Sequence, residues 1–155
     1  MNVTYVDRWE PDENRGLFPE LGDAALFAKP DIISNLDIDR LSAVADDSQD
    51  FVIASHVLEH LANPLAQLAE IQRVLRTGGA ALILLPDRRF TFDRERSPTP
   101  LSHLVNEYRL DVRTVDDAHV EDFCRGTGEH VDEWSEEERH KRFDWHRERS
   151  IHVHC

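Results

Sequence analysis

Residues 50–87 read DFVIASHVLEHLANPLAQLAEIQRVLRTGGAALILLPD, and this stretch decides the fold. It opens on an apolar run, Phe51 to Ala54, with no polar alternation. An unbroken run predicts a strand covered on both faces, as in a parallel sheet flanked by helices. Asn63 supplies an N-cap, Pro64 suits the first helical position, and Leu65, Leu68, Ile71 or Gln72, and Leu75 recur at helical spacing. Arg73 and Arg76 occupy the last turn of this predicted helix, and Gly78-Gly79 ends it. Residues 80–86, AALILLP, form a second buried strand, stopped by Pro86-Asp87. Strand, helix, Gly-Gly and strand make one βαβ unit, whose strands pair in parallel through a right-handed crossover.

Outward from this unit the pattern continues. NVTYVD, residues 2–7, alternates and is β-branched, so it predicts a short strand ending at Asp7. Residues 8–23 are a loop or broken helix, punctuated by Pro11, Gly16, Pro19 and Gly22. KPDIIS, 29–34, is a second short strand, and 36–49 is too rich in Asp and Ser for more than a loop with one helical turn. After the βαβ unit, residues 99–109 predict a helix. Ser135 and Glu138 make a capping box for another over roughly 136–147. SIHVHC, 150–155, alternates like a strand. With no repeat, low-complexity tract or boundary, residues 1–155 form one domain. The fold class is α/β, a Rossmann-like and mostly parallel sheet with flanking helices.

Composition narrows the function. A chain of 155 residues, 40% hydrophobic and 32% charged, has the make-up of a globular domain with a wet surface. A formal charge of −13 argues against nucleic acid, whose phosphates need clustered Lys and Arg. No apolar run approaches the roughly 20 residues of a membrane span, and there is no signal-peptide layout. Two cysteines, Cys124 and Cys155, are too few for a disulfide scaffold, so the expected compartment is a reducing cytoplasm. The mixed charges of 121–143 are those of solvated helix faces.

Residues 56–60, His-Val-Leu-Glu-His, match the H-x-x-E-H spacing of some zinc hydrolases. That chemistry needs both imidazoles on one helical face, Glu59 as general base and a third ligand elsewhere. Here a buried strand runs straight into His56, and the helix starts only at Asn63-Pro64, which makes 56–62 a turn. In open α/β sheets, ligands bind outside the carboxyl ends of the parallel strands. The Ser55-His56 turn therefore faces whatever this sheet binds. For His60, a plain hydrogen-bonding role in a crowded loop stands beside any functional one.

The run 47–87, from DSQDFVIAS through LEHLANP to the Arg-Val-Leu-Arg-Thr-Gly-Gly turn and LILLPD, closely resembles the class I S-adenosylmethionine-dependent methyltransferases of the type-11-like group. Residues 88–108, RRFTFDRERSPTPLSHLVNEY, resemble a bacterial subgroup associated with cell-surface or glycan pathways. The resemblance implies S-adenosylmethionine as cofactor and a small molecule or glycan as methyl acceptor. It also implies site roles. Asp7 would accept hydrogen bonds from the ribose hydroxyls, and Asp37 from the adenine amino group. The Ile38 backbone N–H would read the ring nitrogen while its side chain packs on the ring face. Ser55 and His56 would approach the methionine portion and the methyl sulfonium. Read from the residues alone, Asp7 also suits a turn and Asp37 plain loop acid.

One departure from the family pattern stands out. The family holds its cofactor's carboxypropyl end on a Gly-rich turn before the acidic strand end, where only glycine admits so close a backbone approach. None of the glycines at 16, 22, 78, 79, 126 and 128 forms that turn. The expectation is therefore a truncated chain or an excerpt of a longer one. It starts at the family's second strand, lacks the closing hairpin, and binds the cofactor weakly. Loss of the central first strand leaves unpaired inner edges that invite self-association, or forces VTYV against DFVIAS.

For methyl transfer, His56 is the best-placed general base; Asp87, His152 and His154 are lesser candidates. The sequence assigns no metal, and the terminal His152-Val153-His154-Cys155 is read as structural. A catalytically inactive remnant or interaction module is the alternative function, and a zinc hydrolase the remote one.

Overall fold

The structure is a computed structural model that describes residues 2–21 and 28–155; Gly22 lies outside them. Among the described residues the chain forms two small parallel sheets and five α-helices. Strand β1 (Val6–Asp7) pairs in parallel with β2 (Ile32–Ile33), placing Val6 opposite Ile32 and Asp7 opposite Ile33. The Ser34 N–H donates to the Asp7 carbonyl at 2.8 Å, which closes the ladder at its carboxyl end. Between these strands, helix α1 (Pro11–Leu17) carries its own capping box through Glu10 and Glu13, followed by a short 3-10 turn from Pro19. The predicted broken helix is thus two helical pieces. Residues 36–43 are turns, as expected of a loop.

The βαβ unit is present and parallel. Strand β3 (Gln49–Ser55) pairs with β4 (Leu75–Leu84) in register from Phe51↔Ala80 to Ser55↔Leu84. Between them helix α2 (Pro64–Val74) starts as the sequence predicts, with Asn63 Oδ1 accepting from the Ala66 N–H at 3.0 Å. Its end does not follow the prediction. The helix stops at Val74, and Leu75 to Gly79 belong to β4. The register jumps between Gln49↔Leu75 and Phe51↔Ala80, so residues 76–79 form a bulge. Gly78 has φ of +84°, and a Cβ on Gly79 would lie 2.9 Å from the Arg76 carbonyl oxygen and 3.1 Å from that of Asp50. The glycine pair serves a strand irregularity, and Arg76 pairs with Asp50 across it at 2.7 Å.

The apolar runs of β3 and β4 are not covered on both faces. One face packs through Ala54, Ile71, Val74 and Leu41, with Val6, Leu36, Val44 and Val52 around them. On the other, Ile53 and Leu82 are 59% and 54% exposed. The two sheets are separate: β1 pairs with β2, not with β3.

The second half folds around another core. Helix α3 (Leu101–Arg109) lies where the sequence places it, and α5 (Glu136–Glu148) has both arms of the Ser135–Glu138 capping box. Helix α4 (Asp117–Gly126), capped by Asp116, was not anticipated. Val120, Phe123 and Cys124 lie on its buried side and join Val131, Phe143, Ile151 and Val153 in one cluster. The charged run 121–143 therefore carries solvated faces and a core stripe together.

Residues 151–155 are not a strand. Ile151 and Val153 do alternate inward, but their backbone groups have individual partners and no ladder. The Val153 and His154 N–H groups both donate to the Glu59 carbonyl, at 2.7 and 3.3 Å, and Thr99 N–H donates to Cys155 O at 2.6 Å. Buried Arg96 donates to the carbonyls of His152 (2.6 Å) and Val153 (3.0 Å) while pairing with Asp93 and Asp122.

Candidate functional site

The carboxyl ends of β1, β2 and β3 open on a cleft of about 380 Å³. Asp7 ends β1, Ser34 follows β2, and Ser55-His56 ends β3, so three strand ends deliver their side chains to one rim. Asp37 reaches the same space from the turn after β2. Four residues picked out by sequence, Asp7, Asp37, Ser55 and His56, thus line a single cleft. The fifth, Ile38, does not. It is half exposed, and its carbonyl accepts from Arg113 at 2.7 Å.

Local chemistry shapes each side chain. The Asp7 Oδ1 accepts from the Trp9 N–H at 3.2 Å, turning the chain back after β1. The Asp37 Oδ1 accepts from the Ala62 N–H at 2.8 Å and so ties the β2 turn to the entrance of α2. Burial raises the Asp37 pKa above the usual carboxylate range, against the opposing Ala62 N–H and the Arg8 charge. Among the described residues, no hydrogen bond occupies the second oxygen of either carboxylate. Each acid therefore keeps an acceptor for a ligand. Trp9, Phe18, Leu36 and Val57 supply apolar wall between them. Acceptors set among aromatic and aliphatic surface suit a nucleoside, with its hydroxyls, amino group and flat ring.

His56 has φ of +53°, a left-handed conformation that swings the chain out of β3 at once. Its N–H still donates to the Leu84 carbonyl at 3.0 Å. Its imidazole is largely exposed to the cleft, with Nδ1 3.2 Å from Oε1 of buried Glu59. This contact is not an aligned hydrogen bond, so the carboxylate acts on the ring by its charge, and among the described residues His56 Nε2 has no hydrogen-bond partner.

The H-x-x-E-H motif does not form a helical metal platform. Residues 58–60 are a single 3-10 turn; His60 Nδ1 contacts the Ile151 carbonyl at 3.0 Å, and its Nε2 lies 4.0 Å from the Glu59 oxygen that His56 also faces. Among the described residues, the groups arranged to hold a metal do not include His56.

Several lining residues escaped the sequence reading. Glu59, which faces His56 from behind the cleft wall, was visible at three residues beyond it, but that spacing pointed to zinc. Asn14, Arg8 and Trp9 lie in a stretch read only as loop or broken helix. Arg147, Ser150, Ile151 and Val153 close the cleft from the far end of the sequence, and no local pattern announces them.

The family comparison covers part of the chain. Residues 19–83 match the family model described as a methyltransferase domain, whose members generally bind S-adenosylmethionine. The match takes in β2, Asp37, β3, His56, α2 and most of β4, and leaves Asp7 and helices α3 to α5 outside it. No curated protein and no solved structure matches the chain. Over residues 19–83, then, the chain is similar to a class I S-adenosylmethionine-dependent methyltransferase family.

Proposed function

We propose that the chain binds S-adenosylmethionine in the cleft at the strand ends and transfers its methyl group to a hydroxyl or amine of a small molecule or glycan. The observation that carries this reading is the convergence of Asp7, Asp37, Ser55 and His56 on one cleft. When bound, the cofactor supplies a methyl group already activated on a positive sulfur. The protein's share of the work is then position and proton removal. Asp7 and Asp37 would hold the nucleoside through their second oxygens, and Trp9 and Phe18 would cover its apolar surface. As the acceptor's oxygen or nitrogen took the methyl carbon and the C–S electron pair stayed on the departing thioether, S-adenosylhomocysteine, His56 Nε2 would accept the acceptor's proton and the Glu59 carboxylate would face the imidazolium. The two cysteines are free thiols, in keeping with the reducing cytoplasm we propose as its location.

Titration calorimetry with S-adenosylhomocysteine tests the reading. We expect saturable binding, weakened about tenfold or more in Asp7→Ala, as for loss of a charge-assisted hydrogen bond. Absence of heat at millimolar ligand overturns it.

A second reading rests on Ile53, Leu82 and Leu84, apolar side chains left exposed on β3 and β4. We propose that this open face, with the free edges of two-stranded sheets, supports self-association or an interaction role. Light scattering across a concentration series decides it: a mass fixed at one chain excludes self-association.

A further inference from the structure

Away from the cleft, three histidines surround one glutamate. Glu107 lies on α3, one turn after His103 on the same face. Its Oε1 is 3.0 Å from His103 Nε2 and 2.9 Å from Nε2 of His119, which α4 supplies. Its Oε2 is 3.4 Å from Nε2 of His154 in the segment after α5. The Nε2 atoms of His103 and His119 are 3.0 Å apart. Four ligand-type atoms, one per residue, lie within 4.8 Å of one another.

Protein atoms alone satisfy this cluster poorly. Glu107 is 3% exposed, yet neither of its carboxylate oxygens accepts an aligned hydrogen bond, and neither ring nitrogen of buried His154 has a partner. A buried carboxylate needs a counter-charge or well-aligned donors. Two Nε2 atoms at 3.0 Å cannot both carry a proton. A cation among the four would receive three imidazole lone pairs and one carboxylate oxygen. Bond lengths of about 2.0–2.2 Å in tetrahedral geometry put ligand atoms roughly 3.3–3.5 Å apart. Glu107 Oε1 and the Nε2 atoms of His103 and His119 are 2.9 to 3.0 Å apart, so these three need only a few tenths of adjustment, while His154, within 4.8 Å of them, is the ligand that must close in.

The surroundings add an independent mark. His119 Nδ1 is 2.7 Å from Asp116 Oδ1, so a carboxylate fixes the ring and leaves Nε2 directed at the cluster. A carboxylate behind a histidine is the usual outer support of a metal-binding imidazole. Two other groups, Glu59-His60-His152 and Cys124-Glu129-His146, offer three donors each. In the first, His60 Nδ1 on the Ile151 carbonyl and His152 Nδ1 on Asp93 have the same kind of outer support, but three donors leave a fourth position unfilled. In the second, Glu129 is engaged by Arg142.

We propose that His103, Glu107, His119 and His154 form a closed four-coordinate site for a divalent first-row metal ion, best matched by Zn2+, that clasps α3, α4 and the 150–155 segment together. Four protein ligands with no open position mark a structural site. The ligand set mixes nitrogen with one oxygen, which suits zinc better than calcium or magnesium.

The test uses untagged full-length protein, stripped with a chelator and titrated with Zn2+ alone, with Co2+ as a spectroscopic probe. We expect one equivalent per chain, a raised thermal midpoint, and the visible absorption of tetrahedral Co2+. Glu107→Gln and His119→Ala lose that equivalent. Asp116→Asn keeps it with affinity weakened about 10- to 100-fold. His103 is the most exposed ligand, so His103→Ala keeps its fold by circular dichroism while losing the Co2+ spectrum. His152→Ala, in the neighbouring group, retains both. Wild-type protein that takes up no stoichiometric zinc, or a folded His103→Ala that binds as wild type does, overturns the proposal.

Discussion

His56 meets its proposed role at a cost in backbone energy. A non-glycine residue at φ of +53° is disfavoured by roughly 1–2 kcal/mol. Such strain at the lip of a cleft is held by the structure around it, here the Leu84 carbonyl and the Glu59 carboxylate. His56→Gly should be more stable than His56→Ala by about 1 kcal/mol in urea titrations, because only glycine relaxes this dihedral. Both variants should lose methyl transfer. Asp37 gives a pH-dependent expectation. Its carboxyl is raised above its ordinary value of 3.8 chiefly by burial, so the folded chain holds that proton more tightly than the unfolded one. Unfolding releases the proton in this window, so stability falls as pH climbs from 3.8 through the raised value, and the cost persists above it. Asp37→Asn keeps the acceptor for the Ala62 N–H and removes the charge. It should therefore gain stability over wild type as pH rises, and the gap should close at acid pH, as followed by thermal unfolding.

At the scale of elements, capping residues carry unequal loads. Ser135, itself exposed, caps α5 and nothing more, so Ser135→Ala should cost about 1 kcal/mol. Asn63 caps α2 and also donates through Nδ2 to the Glu107 carbonyl at 3.1 Å, in a buried position. Asn63→Ala removes the cap and one of two donors to the Glu107 carbonyl, which keeps the Val112 N–H at 3.1 Å, and should cost about 1–2 kcal/mol by chemical denaturation. These starts were legible in the sequence because a cap followed by periodic apolar residues is a local signal. The end of α2 was not. Leu75 continues the helical spacing, and Gly-Gly looks the same whether it ends a helix or admits a bulge; the pairing of Asp50 with residues far along the chain decides between them. Helix α4 was hidden because Val120, Phe123 and Cys124 are few among many charges. The Ser55-His56 turn, by contrast, follows from strand end and topology alone.

Across the whole molecule, the 150–155 segment joins the two halves. Val153 is 2% exposed in the second core, and its N–H bonds to Glu59 beside the cleft. Val153→Ala should cost about 2 kcal/mol and, through that bond, also loosen ligand binding. Gly126 lies against Arg96, where an added Cβ would fall 2.0 Å from Cγ. Gly126→Ala should therefore displace the guanidinium that holds the His152 and Val153 carbonyls, destabilising the chain by several kcal/mol in urea titrations. None of this could be read from the sequence, because each partner lies tens of residues away and the alternation of SIHVHC does not reveal what its backbone bonds to.

The contact between His60 and the Ile151 carbonyl spans 91 residues. Closing so long a loop is an entropic toll met late, after the local βαβ hairpin has formed. The proposed nucleoside cleft is therefore among the last features to assemble, and a ligand present during refolding should act on the final, slow phase and leave the early ones unchanged.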